Sequence, residues 1–269
     1  MNRPCLAIAI LLGLVSSLVG AVEEVWTGDR VIDSSVAVRG KSLRIEPGAR
    51  IAFKGGGRLI VEDGDLVARR ALFAARSTLT NDFRIVVQNG KVDLSDCRFS
   101  GLKAFEPDKR NANFIHGFLR NQHGHGSRIV HCTFADCSAL MILNAAKVEV
   151  SRNLAIRCDN AFSFLNCTEC RIEFNEFVNA SSGLKLNSTM LSECFRNRFT
   201  DCDAGLFIYC CKENRVFGNA FFGGKEGLKL WMLGPGNVFS GNRFEGVAYP
   251  FSRHGPQDES NAYHDNASI

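Results

Sequence analysis

Lys185, Phe207 and Lys229 follow one another at steps of 22 residues, and Asn187, Tyr209 and Trp231 stand two places after each. If the next step lengthens by one residue, His254 joins the second series. Fixed lysine charges pair with carboxylate or sulfate groups, and flat aromatic rings offer apolar faces on which sugar rings can stack. A second set of reactive side chains, His116, His123 and His125, lies in the stretch from Gly101 to Arg128. Imidazoles of this kind bind transition metals or exchange protons near neutral pH, although a glycine-flanked His-x-His is more often plain polar loop. Cysteines form a third set, with Cys167-x-x-Cys170 and Cys210-Cys211 inviting a metal or redox reading. No second CxxC stands at zinc spacing, which argues against that reading.

The step of 22 is not confined to these residues. Asn-x-Phe recurs at Asn175, Asn197, Asn219 and Asn242, and Asn153 lies one further step back. Cys132 with Phe134 and Cys97 with Phe99 have the same local form earlier in the chain. Three residues before each position stand Ile129, Val150, Ile172, Cys194, Val216 and Phe239. Five residues after it the side chains are small: Cys137, Cys158, Ala180, Cys202 and Gly224. Apolar pairs then alternate, as Met141 and Leu143, Phe162 and Phe164, Leu184 and Leu186, Leu206 and Ile208, Leu228 and Leu230. Alternation with period two means strands, not helical turns. Short strands repeating without helical linkers fit a solenoid in which each unit is one coil and equivalent residues stack about 4.8 Å apart. The leucine-rich repeat has a similar period, but its L-x-x-L-x-L grammar is not followed.

The pattern x-N-x-F-x-x-x-x-x-G-L-x-L resembles the repeats of right-handed parallel β-helix proteins, the pectate-lyase-like superfamily. The opening run Leu43–Phe53 also looks like the first coils of such proteins. The resemblance spans roughly residues 25–250 and implies an all-β fold, a right-handed parallel β-helix. It further implies a structural ladder at Asn153, Asn175, Asn197, Asn219 and Asn242, and a long groove over one sheet that holds an extended polysaccharide. A stacked interior column of Phe99, Phe134, Phe177, Phe199, Phe221 and Phe244 would account for many of the 21 phenylalanines. Ala155 interrupts it, with Ile156 or Phe162 expected to fill the gap.

On that frame the outward strand positions run Ile142, Ser163, Lys185, Phe207, Lys229 and Asn144, Leu165, Asn187, Tyr209, Trp231, His254. The expected ligand is therefore an anionic polysaccharide, with Asn187, Phe207, Tyr209, Trp231 and His254 as binding residues. A non-catalytic surface or scaffold module using the same face is the alternative. The sequence does not decide whether the protein is an enzyme. If it is one, a polysaccharide lyase fits better than a glycoside hydrolase. The Asp-Asp and Arg-Ile-Lys signatures of polygalacturonases are absent, and Asp159, Asp201, Asp203 and Glu226 read as corner acids. Elimination needs a base beside the uronate carboxylate and a cation for the developing charge, which Lys185 and Lys229 could supply. The motifs of pectate lyases with their calcium-binding aspartates are not recognisable. No cofactor is called for; a divalent metal stays open, with His116, His123 and His125 as weak candidates.

Thirty-two Lys+Arg against 28 Asp+Glu leave a net charge of only +4, too mild for a nucleic-acid footprint. Residues 1–21 read as a signal peptide: Arg3, an uncharged apolar run from Leu6 to Gly20, then Val19-Gly20-Ala21. That run falls short of the ~20 residues that span a bilayer, so a secreted or periplasmic location is expected, with no membrane span after cleavage. The remainder, 22–269, reads as one β-helix domain and a monomer, with an inserted loop within 100–128 and a C-terminal cap or tail over 255–269. Ten cysteines would remain, expected mostly as buried thiols with at most one or two bridges, Cys137–Cys158 and Cys97–Cys132 having suitable columns.

Overall fold

The computed structural model describes residues 22–76, 82–104 and 117–268. The proposed signal peptide lies outside them, as does His116. The described chain is all β, wound as a parallel β-helix. Three parallel sheets run its length, of eleven, eleven and ten strands, and every strand pairs with its copy one coil away. In one coil the chain passes through Arg171–Glu173 in the first sheet, Glu176–Val178 in the second and Ser182–Asn187 in the third. No helix among the described residues is long and apolar enough to cross a membrane.

The corners explain the repeating asparagines. The residue before each turns the chain in the left-handed region: Arg152, Phe174 and Arg196 at φ 56°, 53° and 53°. Each such residue costs about 1–2 kcal/mol, which the next side chain offsets. Asn175 Nδ2 donates to Val150 O at 2.9 Å and to Asn197 Oδ1 at 3.0 Å, while its Oδ1 accepts from Asn153 N at 3.0 Å. The same bonds recur at Asn197 and Asn219, and the ladder runs beyond Asn242 to Asn266. The expected ladder is present, buried along its length. A second one was not foreseen. Ser192, Asn214, Asn237 and Asn261 line the corner between the third and first sheets, each accepting from the backbone N of the preceding coil.

Inside, Phe177, Phe199, Phe221 and Phe244 stack with ring centroids 4.7–4.9 Å apart. At the Ala155 gap, Phe162 reaches in from the third sheet, 5.3 Å from Phe134 and 5.2 Å from Phe177. Of the two candidates, Phe162 fills the gap. Gly183, Gly205 and Gly227 lie against the next coil's phenylalanine: a Cβ on Gly205 would stand 2.6 Å from Phe221 Cδ1. Sequence phase fails in one coil. Leu140 and Ile142, not Met141 and Leu143, pair with the inward Phe162 and Phe164. Phe134 to Leu140 is a step of six, but Ala155 to Phe162 is a step of seven, so that corner is one residue shorter and the side chains of Leu140–Leu143 change face. Met141 and Leu143 therefore sit on the outer face, buried with Ala139 and beside Leu165, and Asn144 leaves the outward column.

All ten cysteines of the described residues are free thiols, so neither Cys137–Cys158 nor Cys97–Cys132 is bridged. Cys132 holds a place in the asparagine ladder, its N donating to Asn153 Oδ1 at 2.9 Å. Leu119–Gln122 is an ordinary strand of the third sheet, so the second half of the 100–128 stretch belongs to a regular coil. At the other end, Ala262–His264 and Ala267–Ser268 continue the first two sheets, so residues beyond 255 extend the helix.

Candidate functional site

The third sheet carries the outward side chains singled out by spacing. Its pairing registers Ser163, Lys185, Phe207, Lys229 and Ser252 in one column. Leu165, Asn187, Tyr209, Trp231 and His254 form the next. A third, Asn160, Ser182, Ala204, Glu226 and Tyr249, runs beside the corner. Over these columns lies an open cleft of about 790 Å³, lined by Lys185, Phe207, Tyr209, Lys229 and Trp231 together with Asn160, Ser181, Ser182, Asp203, Ala204, Lys225, Glu226 and Met232.

The predicted residues thus meet, with two exceptions in detail. Asn187 keeps its register but is 7% exposed, accepts from the Ser188 hydroxyl at 3.0 Å, and is not part of the lining. His254 stands at the cleft's end, its ring 5.5 Å from that of Trp231. Phe207, Tyr209 and Trp231 form a triangle with ring centroids 6.4–6.5 Å apart, and Trp231 is 41% exposed. Lys229 Nζ lies 5.9 Å from the Phe207 ring centroid.

Carboxylates in the cleft correct the sequence reading. Glu226 is no corner acid but the first residue of the strand Glu226–Leu233. Its carboxylate meets Lys229 Nζ at 2.7 Å and lies 3.8 Å from His254 Nε2. Burial pushes the Glu226 pKa up, yet the hydrogen bonds from Lys229 and Ser252 and the charges of Lys229 and His254 outweigh it, leaving it below the usual glutamate value. Asp203 precedes Ala204, the register partner of Glu226, and so stands one coil away. Nearby, the Ser182 hydroxyl is buried and has no hydrogen-bond partner. The signal for Glu226 was present: it follows Ser182 and Ala204 at steps of 22, in the phase of a strand's first residue.

His123 and His125 occupy a corner of the helix remote in sequence from this face. His123 Nδ1 lies 3.0 Å from Asn89 Oδ1, and His125 Nδ1 accepts from Ala146 N at 3.0 Å.

Comparison with known proteins adds two findings. A family model described as the periplasmic copper-binding protein (NosD) matches residues 86–249. Among solved structures, a double mutant of the periplasmic alginate epimerase AlgG superposes with a TM-score of 0.62 at 9% identity, covering 90% of this chain and 78% of that one. A single mutant of the same epimerase gives 0.51 at 9% identity, covering 91% and 79%. Identities this low speak for the fold alone. No curated protein matches the sequence.

The family description names copper, and the donors can be tested against it. Among the described residues no three His, Cys, Asp or Glu side chains converge to hold a metal ion. Eight of the thiols point at main-chain carbonyls, as Cys137 does at Ala135 O and Cys211 at Leu186 O. Burial pushes Cys158, Cys202 and Cys211 up to about 11, away from the thiolate that binds a soft metal, whereas hydrogen bonds from the Cys132 and Cys167 thiols lower Cys97 and Cys170. Among the described residues no copper centre of three or more such donors is assembled. With its match extending over more than half of the chain, and a coil structure to go with it, the protein belongs to the NosD family of periplasmic copper-binding proteins.

Proposed function

We propose that this is an exported protein that binds an acidic polysaccharide in the cleft over its third sheet. The observation that carries this reading is the convergence of Lys185, Lys225 and Lys229 with an open triangle of Phe207, Tyr209 and Trp231 in one cleft. Such a surface supplies cations for acid groups and apolar planes for sugar rings. The periplasmic description of the family supports export, and the solved neighbours include a periplasmic alginate epimerase. If the cleft turns its ligand over, neutral Lys185 takes the proton beside the uronate carboxylate, and Lys229, oriented by Glu226, stabilises the developing charge. The glycosidic C–O bond then breaks to leave an unsaturated end and a departing sugar hydroxyl that takes up a proton. Two coils separate the two lysines, about 10 Å at ~4.8 Å per coil.

The test is binding and digestion of pectate, alginate, hyaluronan and chondroitin, with ultraviolet absorbance reporting unsaturated ends. Saturable binding weakened by Lys185→Ala and Lys229→Ala supports the reading. Turnover unchanged in both variants removes the catalytic assignment, and binding without turnover makes the protein a carbohydrate-binding module. The exposed Trp231, Met232 and Tyr249 favour a second reading, a protein-contact face. Failure to bind every acidic glycan would put that reading ahead.

A further inference from the structure

The charges along the cleft alternate from coil to coil. Lys185 marks the first of three successive coils. In the second, the lining residues are Asp203, Ala204, Phe207 and Tyr209, with no base among them. The third returns to positive charge, with Lys225 and Lys229 against the single carboxylate Glu226. Two cationic sites therefore stand two coils apart, about 10 Å at ~4.8 Å per strand. Between them stand two aromatic rings and a carboxylate. A glycan laid along the helix axis advances by close to one coil per sugar, so its sugars fall in register with the coils.

From this alternation we infer that the cleft selects a polymer with an acid group on every second sugar, a repeating disaccharide of one acidic and one neutral residue, over a homopolyuronate. The inference rests on the polysaccharide reading above. An acidic sugar sits at the Lys185 coil and the next acidic sugar at the Lys225 and Lys229 coil. The neutral sugar between them stacks on Phe207 and Tyr209. A homopolyuronate would place a carboxylate against Asp203 there, a like-charge contact that the alternating polymer avoids.

The experiment compares length-matched oligosaccharides by calorimetry at fixed ionic strength: hyaluronan and unsulfated chondroitin against oligogalacturonate and oligomannuronate. The homopolymers carry twice the charge, so non-specific attraction works against the inference. The alternating polymers are expected to bind at least about tenfold more tightly. In Asp203→Asn that ratio is expected to fall toward one, through a gain for the homopolyuronates. Equal or tighter binding of the homopolyuronates by the native protein would overturn the inference and leave the polysaccharide reading standing. An unchanged ratio in Asp203→Asn would overturn the role of that carboxylate. Binding of none of the four would overturn both readings together.

Discussion

Replacing Asn197 by Ala removes a rung from the middle of the longer ladder. Its Nδ2 donates to Ile172 O and to Asn219 Oδ1, each at 3.0 Å, and its Oδ1 accepts from Asn175 N and Nδ2, each at 3.0 Å. Not all four losses count equally. Asn219 Oδ1 still accepts from Asn197 N, and Asn175 Nδ2 still donates to Val150 O. Asn175 N–H loses its acceptor in a buried corner that a methyl group cannot serve, whereas Ile172 C=O keeps the place in the parallel ladder that the Glu173–Phe195 register gives it. At about 1–3 kcal/mol for a buried group left unsatisfied, the loss centres near 2 kcal/mol. Asn197→Asp separates hydrogen bonding from volume. The carboxylate still accepts from Asn175 N but brings an acceptor against Ile172 O, so it should cost at least as much as Ala at pH 7. Urea unfolding followed by circular dichroism reads both values, with the slope checked for loss of cooperativity along the solenoid. A loss below about 1 kcal/mol in Asn197→Ala, with native circular dichroism, would refute the argument that the ladder secures the corners.

Gly205→Ala should destabilise by about 2 kcal/mol, because its Cβ would press on Phe221 Cδ1, and Phe221→Leu should recover part of the loss in a double-mutant cycle; additive losses would contradict the contact. For the thiols, Cys210 is the one cysteine of the described ten not fully buried, so Ellman's reagent at pH 8 should find it fast and the other nine slow until urea is added. Rapid reaction of several thiols in the native state would contradict the buried columns. The depressed Glu226 pKa means that its stabilising contribution is present above the unfolded value of 4.5 and is lost as pH falls through the lower folded value. Glu226→Gln should therefore lower stability at neutral pH and flatten its decline in acid, as followed by thermal melting from pH 7 to pH 3; an unaltered pH profile would exclude the Lys229 pair as a contributor.

The ladder, the phenylalanine column and the outward lysines were legible because a solenoid stacks like on like, which writes the coil length into the sequence. The second ladder was legible in principle, since Asn214, Asn237 and Asn261 each lie five residues before Asn219, Asn242 and Asn266. Its first rung is Ser192, which accepts from Cys170 N, and that change of residue type hid the column. Met141, Ile142 and Leu143 were misplaced because a corner can lose a residue while both flanking sheets keep their pairing. Glu226 was misread for a related reason: its side chain joins the cleft only because the strand begins one column earlier than the alternating pairs. The cleft itself is a property of three columns and a corner together, which no single periodicity reports.

An acidic glycan held over the outer face of the third sheet, as proposed, would rest against Trp231. Tryptophan emission tests it most directly, because Trp231 is exposed in the cleft while the other tryptophan, Trp26, is 3% exposed in the core. Titration with the tightest-binding acidic oligosaccharide should shift the emission with the midpoint found by calorimetry, and Trp231→Phe should abolish the shift. Saturable binding that leaves Trp231 emission unchanged would place the glycan elsewhere and contradict the account.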